Sequence, residues 1–126
     1  MVHIVCNLNK EIFKGISEMI ITAEVIITEE RIGHIKNRHP NDYERYCNYL
    51  KTIIEEPDYI IKLNKMYSAI LLKEINEDRE CFKAIIRLCT SHDNPEYKNS
   101  IITFMRINTS EWNGLIRNKE VLYKRE

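Results

Sequence analysis

The sequence predicts an α+β fold, with N-terminal helices packed on an antiparallel sheet of four or more strands. Two observations predict it. Apolar residues recur at helical spacing between Thr28 and Pro57. Beyond Pro57 the period drops to two, in the runs Tyr67–Ile75, Cys81–Thr90 and Ser100–Ile107. Helices first and strands afterwards is the α+β order. The chain has 126 residues, enough for one domain spanning 1–126.

Each element has a local reason. Val2–Cys6 alternates weakly and suggests a strand, and Lys10–Met19 suits a short helix or an irregular strand. Glu24–Thr28 is β-branched and reads as strand. Thr28 is an N-cap, followed by Glu29 and Glu30 in the first turn, where the helix dipole favours acid. That helix runs to about His39, because Pro40 disfavours helix at the residue before it. A second helix spans Asn41–Glu56, with Tyr43, Tyr46, Cys47 and Leu50 on one stripe. Tyr59–Lys62 begins the strands, and the polar gap Asn76–Glu80 joins two of them as a hairpin. Ser91–Tyr97 is a loop of turn formers. Ser110 caps a helix to about Asn118, and Glu120–Lys124 closes the chain as an edge strand guarded by cations.

Composition narrows the function classes. Lys and Arg total 19 and so do Asp and Glu, which counts against extensive non-specific nucleic-acid binding. From Tyr97 onward there is nevertheless a basic excess, and a local basic stripe fits a neutral protein. No apolar run approaches the ~20 residues of a membrane span, and the first residues lack the pattern of a signal peptide. A cytoplasmic protein without membrane attachment is the expectation. The four cysteines form no C-x-x-C pair and are expected to be reduced.

The most pointed local feature is Arg31–Pro40, which places His34, His39, Lys36 and two arginines on one short helix. The pattern suits an acid/base histidine beside phosphate-holding cations, and it equally suits a capped, solvated helix. The i, i+5 histidine spacing and the lack of a third ligand disfavour zinc, so neither metal nor cofactor is expected. Among the strand residues, Lys83 and Arg87 should point away from Phe82, Ala84, Ile86 and Leu88. In a regular strand Ser100 and Thr103 would fall on opposite sides.

The order of parts resembles a known family. R-x-x-H-I-K-x-R-H-P is followed by E-x-P-D-Y-I-I, L-L-K-E-I, R-L-x-T-S, Y-K-N-S-I-I-T-F and N-K-x-x-L-Y-K-R-E. This is similar to small phage-associated members of the barnase, EndoU, colicin and RelE-like nuclease superfamily, over roughly Glu24–Glu126. The resemblance implies a metal-independent endoribonuclease, used as a toxin or phage effector and held in check by a protein inhibitor. It implies His34 and His39 as acid and base, Arg87 as the sheet cation, and Ser100 or Thr103 as the positioning hydroxyl. It implies that Lys36, Arg38, Lys98, Asn99, Arg117, Tyr123 and Lys124 bind the RNA. The rival reading is a non-catalytic protein-binding module that keeps the nuclease fold; a small DNA-binding regulator fits less well. This active-site assignment requires His34 or His39 to share one cleft with Arg87 and a hydroxyl; if both lie on the opposite side of the sheet, the assignment fails and the binding module becomes the better reading.

Overall fold

The computed structural model describes residues 2–75 and 79–125. The expected turn at Asn76–Glu80 therefore lies in part outside the described residues. The strands are β1 (Val2–Asn7), β2 (Glu24–Thr28), β3 (Tyr59–Lys62), β4 (Ser68–Ile75), β5 (Glu80–Arg87), β6 (Asn99–Ile107) and β7 (Val121–Lys124). They form a seven-stranded sheet in the order β1-β2-β6-β5-β4-β3-β7. The all-antiparallel expectation is corrected at one joint, because β2 and β6 run parallel. β2 hands the chain to a helix and β6 returns only much later, so no tight turn ties their directions.

The helices are α1 (Glu29–Arg38), α2 (Asp42–Tyr46), α3 (Leu50–Glu55) and α4 (Thr109–Asn118). Thr28 caps α1 as expected, its hydroxyl accepting from the Arg31 N–H at 3.2 Å. The single helix expected over Asn41–Glu56 is broken by a 3-10 turn at Cys47–Tyr49. Asn41 is left-handed at φ 73°, a conformation asparagine tolerates, and the chain restarts as α2 after it. The break stacks Tyr46 on Tyr49 and sets both rings on Phe82, at centroid distances of 5.0 and 5.5 Å. Side chains three apart eclipse in a 3-10 turn, which brings the two tyrosines onto one target. The cap of α4 is Asn108 rather than Ser110; its side chain accepts from the Glu111 N–H at 2.8 Å. No helix among the described residues is long and apolar enough to cross a membrane.

The sheet has two unlike faces. On the first, Phe82, Ala84 and Ile86 meet Ile32 and Ile35 of α1 and Leu50, Ile53 and Ile54 on α3 in the main core. On the second, Ile61, Ile70 and Leu72 meet Trp112, Leu115 and Ile116 of α4 in a smaller cluster. β1, at the other edge, leaves Ile4 74 % exposed. A β-bulge interrupts the β5–β6 ladder: Ile86 pairs with Ile101, but Ile85 pairs with Thr103, leaving Ile102 extra.

Phe82 is the aromatic keystone of the main core, fully buried beneath Tyr46 and Tyr49 and stacked on Phe104 at 6.2 Å. Phe82→Ala should cost ~3–5 kcal/mol, measured by urea unfolding. A loss below ~1 kcal/mol would refute that role.

Candidate functional site

The end of the sheet where β6 begins gathers the polar chemistry. Arg87 pairs directly with Ser100, and Ser100 pairs with Ile26 across the parallel joint. Paired residues share a face, so these three side chains form one row on the second face. The bulge changes what periodicity forbids: Thr103, opposite Ile85, joins that face one row along, about 7 Å away. The segment after β5 lies beside the row and lines with it an open cavity of about 510 Å³, bordered by Arg87, Lys98, Ser100, Ile26 and Tyr97.

Asp93 organises this loop. Its carboxylate accepts from the Thr90 N–H at 2.9 Å and the Thr90 hydroxyl at 3.3 Å. It also accepts twice from the Arg87 guanidinium, at 3.0 and 3.3 Å. The Thr90 N–H, and then Arg87, hold the Asp93 carboxyl below the usual aspartate range. Arg87 donates a further bond to the Leu88 carbonyl. These three bonds leave two of its five N–H groups for a ligand. The guanidinium lies 5.4 Å from the Tyr67 ring, and Tyr67 stacks on His92 at 6.1 Å with 6° between planes. His92 directly precedes Asp93, and its ring meets Tyr67 rather than bordering the cavity.

Several predicted site residues take other posts. Asn99 is fully buried and is not open to substrate. Its carbonyl accepts from the Cys89 N–H at 2.7 Å, and its amide donates to the Thr22 and Glu24 carbonyls at 2.7 and 3.0 Å. A buried side chain committed to three backbone bonds is a brace. Lys98 borders the cavity but is paired with Glu24 at 3.1 Å.

The α1 residues do not join Arg87. Ile32 and Ile35 seat α1 on the first face, opposite Arg87. His34 is exposed over a shallow hollow with Gly33 and Asn37, 3.8 Å from Glu30. His39 caps the C-terminus of α1 near the far end of β6, where Asp42 accepts from the Arg106 N–H at 3.4 Å. Six residues of strand separate Arg106 from Ser100, about 20 Å. Lys36 is taken up by Glu44 at 3.5 Å and by the Tyr43 ring at 5.6 Å, while Arg38 is exposed on the same helix.

The closing basic segment is also elsewhere. β7 lies three strand spacings from β5, about 14 Å. Tyr123 packs into the main core, and Lys124 and Arg117 are exposed beyond that edge. The expected basic stripe is thus dispersed: Arg106 pairs with Glu80 and Arg125 with Glu56, both at 3.3 Å. Local spacing cannot register which strand ends adjoin.

His92 is the site residue that sequence reasoning passed over, inside a segment read only as a loop. The available signal was its place between Thr90 and Asp93, side chains that bond readily to nearby backbone.

An arginine, a hydroxyl in its row and a lysine thus gather beside one cavity at the end of an α+β sheet. The chain belongs to the family described as phage-Barnase-EndoU-ColicinE5/D-RelE like nuclease2, whose model matches residues 7–124 of the 126. Membership places it among nucleases. No curated protein and no solved structure matches it.

Two outcomes test this geometry. Asn99→Ala strands a buried N–H and two part-buried carbonyls, so it should cost ~1–3 kcal/mol in urea unfolding; a neutral result would remove the brace. Because the Asp93 pKa is lowered on folding, its clamp is complete above about pH 3.9 and is lost as pH falls through the lower native value. The Thr90 amide resonance should hold its position to below pH 3.9 and then move. In Asp93→Asn that titration should vanish.

Proposed function

We propose that this protein is a metal-independent endoribonuclease whose reaction centre is the Arg87 corner. The observation that carries the reading is the shared row of Arg87 and Ser100 beside Lys98 and the cavity. RNA brings its own nucleophile, the ribose 2′-hydroxyl. His92 accepts that proton as the 2′-oxygen bonds to phosphorus. The P–O5′ bond breaks, and the leaving 5′-oxygen takes a proton from solvent. The products are a 2′,3′-cyclic phosphate and a 5′-hydroxyl. Arg87 and Lys98 offset the charge gathering on the phosphorane oxygens, a part that metal ions play in other nucleases. Ser100 positions the phosphate, and Thr103 holds the next one along the strand.

The histidine with a link to the cation is His92, through Tyr67. An imidazole suits the role because its ordinary pKa of about 6.5 lets it exchange protons near neutrality. In cells such an activity would act on RNA in the bacterial cytosol as a toxin or phage effector, with a protein inhibitor as its natural partner.

A second reading is a protein-binding module without catalysis. It is favoured by one observation: Arg87 and Lys98 already carry the carboxylates of Asp93 and Glu24.

Cleavage of a labelled RNA should persist in EDTA and end in a cyclic phosphate. Arg87→Ala should lower kcat about 10²–10³-fold, and His92→Ala about 10²–10⁴-fold. His34→Ala and His39→Ala should stay within a few-fold of wild type. If His34→Ala abolished cleavage and His92→Ala did not, the centre would belong to α1. Absence of cleavage by the pure wild-type chain would favour the binding module.

A further inference from the structure

Tyr67 is held in a backbone conformation that aromatic residues avoid. The Ser68 N–H donates to the Lys65 carbonyl at 3.1 Å and closes a turn in which Tyr67 is the third residue. Tyr67 is left-handed there, at φ 57°. Turns with a left-handed third residue take glycine or asparagine, because a Cβ crowds the backbone. A bulky side chain keeps such a post only where its surroundings over-determine it. Here the surroundings lead to Arg87. The Tyr67 carbonyl accepts from the Leu88 N–H at 2.8 Å, which ties the turn to the residue after Arg87. Ser68, next in the chain, pairs with Arg87 across β4 and β5. The half-buried Tyr67 ring packs against the main core, lies parallel to the exposed His92 ring and meets the Arg87 guanidinium.

The ring contact differs in kind from the other bonds of Arg87. Asp93 and the Leu88 carbonyl occupy N–H donors of the guanidinium. A ring at 5.4 Å attracts the same cation through its π electrons and occupies none. It restrains the guanidinium while the remaining donors stay open to an incoming anion. We infer that Tyr67 is the positioning residue of the Arg87 corner: its left-handed backbone presents a ring that restrains the guanidinium and stacks His92, at the expense of an unstrained turn. The inference rests on the proposed reaction centre and names the residue that orients it.

A tyrosine kept only for packing would behave otherwise. Loss of the ring and loss of stability would then move together, and whatever recovered the stability would recover the site. Positioning separates the two. Glycine at this post relieves the backbone but supplies no ring.

The test titrates inorganic phosphate against the full chain and its Tyr67 variants, read by NMR at the Arg87 Nε–H, with urea midpoints measured alongside. Tyr67→Gly should have a higher midpoint than Tyr67→Ala, the reverse of the order in a helix or strand. Tyr67→Gly, Tyr67→Ala and Tyr67→Leu should all bind phosphate about 2- to 30-fold more weakly than wild type, the span of one cation–π contact. Tyr67→Phe should restore the affinity, because the ring face acts and the hydroxyl does not. Where labelled RNA is cleaved, kcat/KM should fall by the same factor in the ringless variants. Recovery of phosphate affinity in Tyr67→Gly, full affinity in Tyr67→Leu, or no response of the wild-type Arg87 resonance to phosphate overturns the inference. The outcomes separate: ring-dependent phosphate binding without RNA cleavage sinks the nuclease reading alone. Cleavage indifferent to Tyr67→Leu sinks this inference alone.

Discussion

The Asn99 side chain holds three backbone segments at once, and the site depends on that restraint. The parallel joint between β2 and β6 is only two residue pairs long, Val25 with Asn99 and Ile26 with Ser100. So short a ladder is a weak hinge for the β1–β2 ribbon. Asn99 reinforces it by donating to the Thr22 and Glu24 carbonyls, 77 and 75 residues away in sequence. Its carbonyl meanwhile accepts from Cys89, the second residue past β5. One buried amide thus sets where β2 lies and where the loop after β5 departs. Buried with all three bonds made, it adds specificity that an apolar residue of similar size could not.

From that departure point the loop is shaped by charge. Thr90 and Arg87 converge on Asp93, and the loop closes over the row of Ile26, Ser100 and Arg87. The same bonds preset the guanidinium, whose planar fork loses little freedom on meeting a second anion. Zero net charge is realised here as local pairs. Arg87 with Asp93 and Lys98 with Glu24 lower the potential felt at a distance while leaving the site cations in place. A site so paired gains little from long-range steering and depends on close contacts for affinity.

The far end of the sheet is a different polar cluster. Glu80 accepts from Arg106 at 3.3 Å and from the Tyr46 hydroxyl at 3.4 Å, next to the Phe82 aromatic core. These bonds fasten α2 to the sheet on the side where His39 ends α1. The Arg31–Pro40 segment therefore serves the helix layer, with Ile32 and Ile35 inward and its cations outward.

Much of the architecture is local and was legible in residue order. The Thr28 cap, α1, the β4–β5 pairing and the outward-facing Arg87 follow from capping chemistry and from periods of 3.6 and 2. The motif order likewise carried the family. What sequence alone could not decide was every relation between distant segments. The parallel β2–β6 joint depends on a side chain buried across 75 residues of separation. The extra Ile102 breaks the two-residue period and brings Ser100 and Thr103 to one face. His92 lies in a loop with no periodicity at all, and only the fold stacks it on Tyr67, whose ring also meets Arg87. Local patterns record which way a side chain faces its own backbone; convergence on one site is set by long-range packing and buried hydrogen bonds, which exist only once the chain has folded.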